Sequence, residues 1–295
     1  MHGPRTANID DANPPAEVLL YAGATHPDPL GRIVVPVMLN EQGPFQFLLD
    51  TGATRTVLSE TVATQLGLSP DRQQTVRIRS VMGLTLVPTV VIHSLQMGAF
   101  SKSQLRMPVL SNEALQSADG VLGVDSIGDT KIIADIKRQH IRIATATGSF
   151  AEQGRIVIAF EQIARQPLMV DARLGDIRVR AVVDTGCADT LGNAVLLKKL
   201  RRRLPATQLS THPTEILDAT DTVVPAQVVG VPRVIIGKLL IDNLRVSFGE
   251  FSVFDTWHID KEPVLLIGMD VLSQLDELAI DYRRKELQVA VHTPD

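Results

Sequence analysis

Two aspartates in this sequence end apolar strands and open the same tripeptide. Asp50 follows residues 47–49 and begins the DTG at 50–52, and Asp184 begins the DTG at 184–186. Two carboxyl groups brought together in an apolar setting cannot both ionise without a large free-energy cost, so one keeps its proton. Such a pair is an acid beside a base: one member draws a proton from a bound water while the other donates to a carbonyl oxygen.

This chemistry hydrolyses an amide bond with water and needs neither a metal nor a covalent nucleophile. Glycine in each tripeptide allows a tight turn and close approach of substrate, and the threonine hydroxyls can hydrogen-bond across an axis between the two loops. We therefore predict Asp50 and Asp184 as the catalytic pair, with no cofactor and no metal. The supporting residues are Thr51, Gly52, Ala53, Thr185, Gly186 and Cys187.

The chain repeats itself around these tripeptides. Both copies contain, in the same order, a hairpin before the DTG, a helix after it, an apolar-apolar-Gly motif and a closing strand pair. These features occupy residues 33–49, 59–66, 121–123 and 134–143 in the first copy, and 168–183, 193–204, 266–268 and 280–289 in the second. Because repeated lobes pack about a pseudo-twofold axis, we expect Asp50 and Asp184 to meet.

The residues at 50–53 and 184–187 resemble the active-site loops of retropepsin-like aspartic peptidases. The motifs at 121–123 and 266–268 resemble the second signature of that family, which packs behind the loop. The resemblance implies a bacterial-type single-chain form with an all-β fold. Two homologous closed β-barrel lobes would be related by a pseudo-twofold axis, each with a short helix after its DTG loop. The predicted division is an arm at 1–28, lobe one at 29–150 and lobe two at 151–295.

The resemblance also implies an endopeptidase that binds an extended polypeptide between the lobes, beneath hairpin flaps. The predicted substrate-binding residues are Gly52, Gly186, Val81, Met82, Gly83, Ala219 and Thr220. A net charge of −4 gives no general attraction to nucleic acid, and no apolar stretch approaches a membrane span. We expect a monomer that is itself a pseudodimer.

Several residues depart from the family pattern or invite a structural interpretation. Ala53 and Cys187 offer no hydroxyl to the nearby carboxylate, which predicts a pH optimum milder than that of a gastric enzyme. Asp125 and Asp270 are predicted helix N-caps. Trp257 lies in an extra segment that lengthens the second copy, and core packing is its expected role.

Other functions stay open at this point. The same fold could capture peptides without cutting them, a homodimer could use lobe one alone, or the acids could hydrolyse a glycosidic bond. The basic run 198–203 is predicted to be a solvated helix face. One cysteine excludes an internal disulfide. The compartment is cytoplasmic as the sequence stands, or periplasmic or exported if a leader was removed.

Overall fold

The computed structural model describes residues 17–80, 83–116, 118–145, 154–162, 167–204, 211–217 and 223–291. The first half contains β1 (Leu19–Ala24), β2 (His26–Pro27), β3 (Ile33–Leu39), β4 (Gln42–Leu49), β5 (Val57–Ser59), α1 (Glu60–Gln65), β6 (Asp71–Ser80), β7 (Gly83–Met97), β8 (Phe100–Leu110), β9 (Gly120–Leu122), α2 (Val124–Ile127), β10 (Thr130–Asp135) and β11 (His140–Thr145).

The second half contains β12 (Ile156–Ala159), β13 (Met169–Leu174), β14 (Ile177–Val183), β15 (Leu191–Gly192), α3 (Ala194–Arg203), β16 (Thr211–Leu217), β17 (Val223–Ile236), β18 (Leu239–Gly249), α4 (Val253–Thr256), β19 (Val264–Ile267), α5 (Met269–Leu272), β20 (Glu277–Asp281) and β21 (Glu286–Ala290). The predicted hairpins before both DTG loops are confirmed, with boundaries shifted by up to three residues.

Each half closes into a six-stranded barrel. In lobe one the order is β3-β4-β9-β5-β8-β7, and β7 pairs back with β3; in lobe two it is β13-β14-β19-β15-β18-β17, and β17 pairs back with β13. β6 and β16 extend β7 and β17 as hairpins beyond the barrels. The predicted all-β fold of two similar closed lobes is therefore confirmed.

A six-stranded antiparallel sheet joins the lobes, in the order β1-β11-β10-β20-β21-β12. At its centre Ile133 lies opposite Ala279, its equivalent in the repeat, while Ile132 lies opposite Ile280 and Ala134 opposite Leu278. This reciprocal register places the pseudo-twofold axis between β10 and β20. The sheet also includes β1, from the segment predicted to be an arm; the domain boundaries themselves stay a prediction.

The barrel strands bury side chains on both faces where a second layer covers them. In β19, Leu265 and Ile267 belong to the main core, whereas Val264 and Leu266 face a separate apolar cluster of lobe two. Alternate residues of a strand point to opposite faces, which explains why the run VLLI is apolar throughout. Burying one such side chain contributes roughly 1.5–3 kcal/mol.

The predicted helices after the DTG loops are α1 and α3, capped by Ser59 and Asn193, whose side chains accept from Val62 N and Leu196 N. The basic run lies on α3, which buries Leu196 and Leu200 and exposes its lysines and arginines, so the predicted solvated face is confirmed. Within the described part of the chain, no helix is both long and apolar enough to cross a membrane.

Candidate active site

Each DTG loop begins where a barrel strand ends beside a parallel neighbour. β4 runs parallel to β9, and the Asp50 N–H donates to the Leu122 carbonyl at 3.2 Å. β14 runs parallel to β19 in the same way, and the Asp184 N–H donates to the Ile267 carbonyl at 3.0 Å. The apolar-apolar-Gly motifs therefore anchor the residues that precede each loop.

The threonines of the two tripeptides hydrogen-bond across the axis. The Thr51 hydroxyl donates to the Val183 carbonyl at 2.8 Å, and the Thr185 hydroxyl donates to the Leu49 carbonyl at 2.7 Å. Each hydroxyl also accepts from the backbone N–H of the other threonine, at 3.1 and 3.2 Å. Both side chains are buried, so these four bonds hold the loops in fixed register.

This register brings the two carboxyl groups close together. Asp50 and Asp184 each influence the pKa of the other, and each lies against the glycine of the opposite loop. A Cβ atom at Gly52 would lie 2.6 Å from Cγ of Asp184, and one at Gly186 would overlap the Asp50 carboxyl. Glycine is required at both positions because the opposite acid occupies the space of a side chain.

Burial raises the pKa of both carboxyls, but their surroundings differ. At Asp50 the N–H groups of Ala53 and Gly52, each 2.8 Å from Oδ1, and the positive charge of Arg32 oppose that rise. At Asp184 burial is reinforced by the negative charge of Asp50, which holds its pKa well above the ordinary value. The backbone N–H groups of Gly186 and Cys187 oppose the rise at Asp184 as well. The two carboxyls therefore titrate as one coupled pair, in which the pKa of both groups is raised.

A second layer of hydrogen bonds supports each loop and was not predicted. Thr56 donates through its hydroxyl and its N–H to Asp125 Oδ1, both at 2.7 Å. In lobe two the Thr190 hydroxyl donates to Asp270 Oδ1 at 2.7 Å. The prediction that these aspartates are N-caps is wrong, because Gly123 and Gly268 occupy the cap positions. The sequence did contain a signal for these bonds: a threonine lies six residues after the aspartate of each DTG.

Arg32 is a further residue that sequence reasoning missed. Its guanidinium pairs with Asp28, with Nε 2.7 Å from Oδ2, and both side chains are largely buried. Asp28 Oδ1 also accepts from the backbone N–H groups of Leu30 and Arg32. The turn thus fixes a positive charge near Asp50, and a lone arginine at a strand start gave no signal of this in the sequence.

Ala53 and Cys187 occupy matching places in the two loops. The Ala53 carbonyl accepts from Val124 N at 2.9 Å, and the Cys187 carbonyl accepts from Met269 N at 2.8 Å. The Cys187 thiol donates to the Asp189 carbonyl. Burial raises the pKa of the thiol well above its usual value, so it stays protonated.

The predicted flap residues fall mostly outside the described residues. The hairpins at the predicted flap positions are β6 with β7 in lobe one and β16 with β17 in lobe two; we refer to them as the lobe-one and lobe-two flaps. Gly83 opens β7 opposite Ser80. Val81, Met82, Ala219 and Thr220 lie outside the described residues, and their substrate-binding roles stay predictions.

Adding a methyl group at either loop glycine is expected to disable the site. Gly52→Ala or Gly186→Ala forces the opposite carboxyl to move, and a displacement of about 1 Å at reacting groups costs about 10²-fold in rate. The measurement is kcat/KM for peptide cleavage. Gly230→Ala is the matched control, because a Cβ there meets nothing within 4 Å; an equal loss in the control would contradict the explanation.

Comparison with known families agrees with this geometry. Residues 35–126 match the family model described as Aspartyl protease, a range that holds the lobe-one DTG loop and its apolar-apolar-Gly motif. No curated protein matches the sequence significantly. Lobe two repeats the barrel of lobe one with its own DTG loop. Lobe one is therefore similar in sequence to the aspartyl protease family, and the two similar barrels match a two-lobed retropepsin-like form.

Proposed function

We propose that this protein is an aspartic endopeptidase that hydrolyses peptide bonds with a water activated between Asp50 and Asp184. The observation that carries the proposal is that each carboxyl lies against the glycine of the opposite loop, with the two loops held together by the reciprocal bonds of Thr51 and Thr185. A buried carboxyl pair that shares one proton is poised for general acid–base catalysis. The pair comes from one chain, so the protein would act as a monomer whose lobes serve as two subunits.

In the proposed mechanism the two acids have different roles. Asp50, which accepts two backbone N–H groups and lies near the charge of Arg32, takes a proton from the water as the water oxygen attacks the scissile carbonyl carbon. Asp184 gives its proton to the carbonyl oxygen, which yields a neutral tetrahedral diol. The proton now on Asp50 passes to the amide nitrogen as the C–N bond breaks, and a diol hydroxyl returns a proton to Asp184. The cycle restores the starting protonation state.

The substrate is proposed to be an extended polypeptide held between the lobes. We expect the two hairpins, β6–β7 and β16–β17, to border the cleft above the acids. An extended peptide can satisfy its backbone groups against such hairpins, with alternate side chains in pockets. The match of residues 35–126 to the aspartyl protease family supports a polypeptide as the substrate class.

The direct test incubates the purified protein with an unfolded protein in ¹⁸O-labelled water. Cleavage that places one ¹⁸O atom in each new carboxyl terminus, with no covalent intermediate trapped by hydroxylamine, is the expected result. Trapping of an acyl-enzyme would overturn the mechanism. Tight binding of the unfolded protein without any cleavage would instead support the peptide-binding alternative.

The pH profile of kcat/KM is expected to be bell-shaped, because only the singly protonated pair is active. Activity falls in acid as Asp50 becomes protonated and falls in alkali as Asp184 loses its proton. Burial raises the pKa of both groups, and that of Asp184 well above the ordinary value. The optimum should therefore lie above strong acid, and a profile peaking only in strong acid would contradict this.

A further inference from the structure

The segment between β18 and β19, residues 250–263, distinguishes lobe two from lobe one. We call it the lobe-two insert. Its counterpart between β8 and β9, residues 111–119, is shorter, and among the described residues there Leu115 is the large apolar side chain that is buried. The insert buries a larger set: Phe251, Val253, Phe254, Trp257 and Ile259. The expectation that Trp257 packs in a core is confirmed, but this core is not the barrel interior.

The insert packs beside the lobe-two active loop. Its apolar side chains form one cluster with Val182 and Leu266, on the outer face of β14 and β19. Val182 lies two positions before Asp184, and Cys187 of the same loop packs against the cluster. The position of the insert is therefore fixed relative to the carboxyl pair through directly packed side chains.

The insert also contacts both flaps. Ile216 of β16 and Val224 of β17 belong to the same cluster, so the lobe-two flap rests on the insert. Across the axis, Cα atoms of α4 lie within 8 Å of β6 and β7 in the lobe-one flap. The insert thus bridges two elements that border the cleft from opposite lobes.

We infer that the lobe-two insert is a fixed wall of the cleft that limits how far a substrate extends on the lobe-two side of the scissile bond. This inference rests on the proposed function. A close-packed aromatic wall gives way only if its contacts are broken, so additional residues on that side are excluded. The other side carries the shorter counterpart segment and accepts longer extensions. The preferred substrates are polypeptides cut near a chain end or at a short exposed segment.

The test measures kcat/KM for nested peptides, lengthened one residue at a time on each side of a fixed cleavage site. Tolerance is expected to be unequal: beyond a few residues, extension on one side lowers kcat/KM by about 10-fold or more, and extension on the other changes it by about 2-fold at most. Replacing residues 250–263 with residues 111–119 should remove the difference. Equal tolerance in the unaltered protein, or an unchanged difference in a folded replacement variant, would overturn the inference.

The unaltered protein offers a second readout that does not depend on the replacement variant folding. Trp257 is the single tryptophan of the chain, and it is buried in the insert. The probes are peptides in which the scissile bond is reduced and cannot be cleaved. Those that extend on the restricted side should change the fluorescence of Trp257, and those truncated on that side should not. If calorimetry shows that the peptides bind but none of them alters the Trp257 emission, the inference about the insert is overturned while the proposed function stands. Absence of both binding and cleavage overturns both.

Discussion

Asp50→Asn and Asp184→Asn are each expected to lower kcat/KM for peptide cleavage by about 10³-fold, a loss typical of removing a positioned acid or base. Asparagine keeps the shape of each side chain but cannot exchange the proton. Because the two acids act as a unit, the double variant should be little worse than either single one. The measurement is steady-state cleavage of a fluorogenic peptide at the wild-type optimum.

The control for this pair is Asp129→Asn, which removes an exposed carboxylate that pairs with Lys102 at 2.9 Å, and it should leave kcat/KM unchanged. Unfolding provides an independent readout. Between the ordinary Asp pKa and the raised pKa of Asp184, the native state binds a proton that the unfolded chain releases, so stability falls as pH rises. Asp184→Asn should flatten this decline. Full turnover by Asp184→Asn would instead mean that lobe two is structural and that a homodimer uses lobe one.

Thr51→Val is expected to have the second large effect, this time on stability. Valine preserves the shape but leaves the Thr185 N–H without its acceptor and the Val183 carbonyl without its donor. Each buried group left unpaired costs about 1–3 kcal/mol, so the free energy of unfolding should fall by about 2–5 kcal/mol. Cleavage should slow by about 10-fold or more, because the loops that position the acids lose their register. Chemical unfolding and kcat/KM measure the two effects.

Thr51→Ser is the matched control, since serine retains the hydroxyl that donates and accepts at this position. Its cost should be well under half that of Thr51→Val, and cleavage should be nearly normal. Thr185→Val should reproduce the loss, because its hydroxyl makes the reciprocal bonds to Leu49 and Thr51. Combining Thr51→Val with Thr185→Val should cost less than the sum, as expected for residues in one network. Equal stability of the valine and serine variants would refute the argument.

Much of the fold could be predicted from local patterns in the sequence. Hydrophobic alternation and turn residues placed the hairpins ending at Leu49 and Val183, because a half-buried strand repeats every two residues. Cap residues placed α1 and α3, because Ser59 and Asn193 satisfy N–H groups that a helix cannot pair internally. The duplicated order of features predicted two barrels about one axis, and it predicted that Asp50 and Asp184 would meet.

The sequence predictions were wrong or incomplete where a residue's role depends on contacts with residues far apart in the chain. Asp125 looked like a cap, yet its carboxylate binds Thr56, sixty-nine positions away. Residues 19–24 looked like part of an arm, yet β1 pairs with β11 in the sheet between the lobes. Hydrogen bonds between distant segments leave no periodic trace in the sequence; for the Asp125 bond, the repeated spacing from the DTG aspartate to the threonine was the one available signal.

The sequence by itself determined which residues form the acid pair, because a duplicated tripeptide after an apolar strand is a local and repeated signal. Only the tertiary structure decided how the two acids differ. Burial raises the pKa of both acids; backbone N–H groups and the charge of Arg32 oppose the rise at Asp50, and the negative charge of Asp50 adds to it at Asp184. Likewise, only folding brought the insert of lobe two against the flap of lobe one. Electrostatic and packing energies depend on distances in space, and the barrels set those distances.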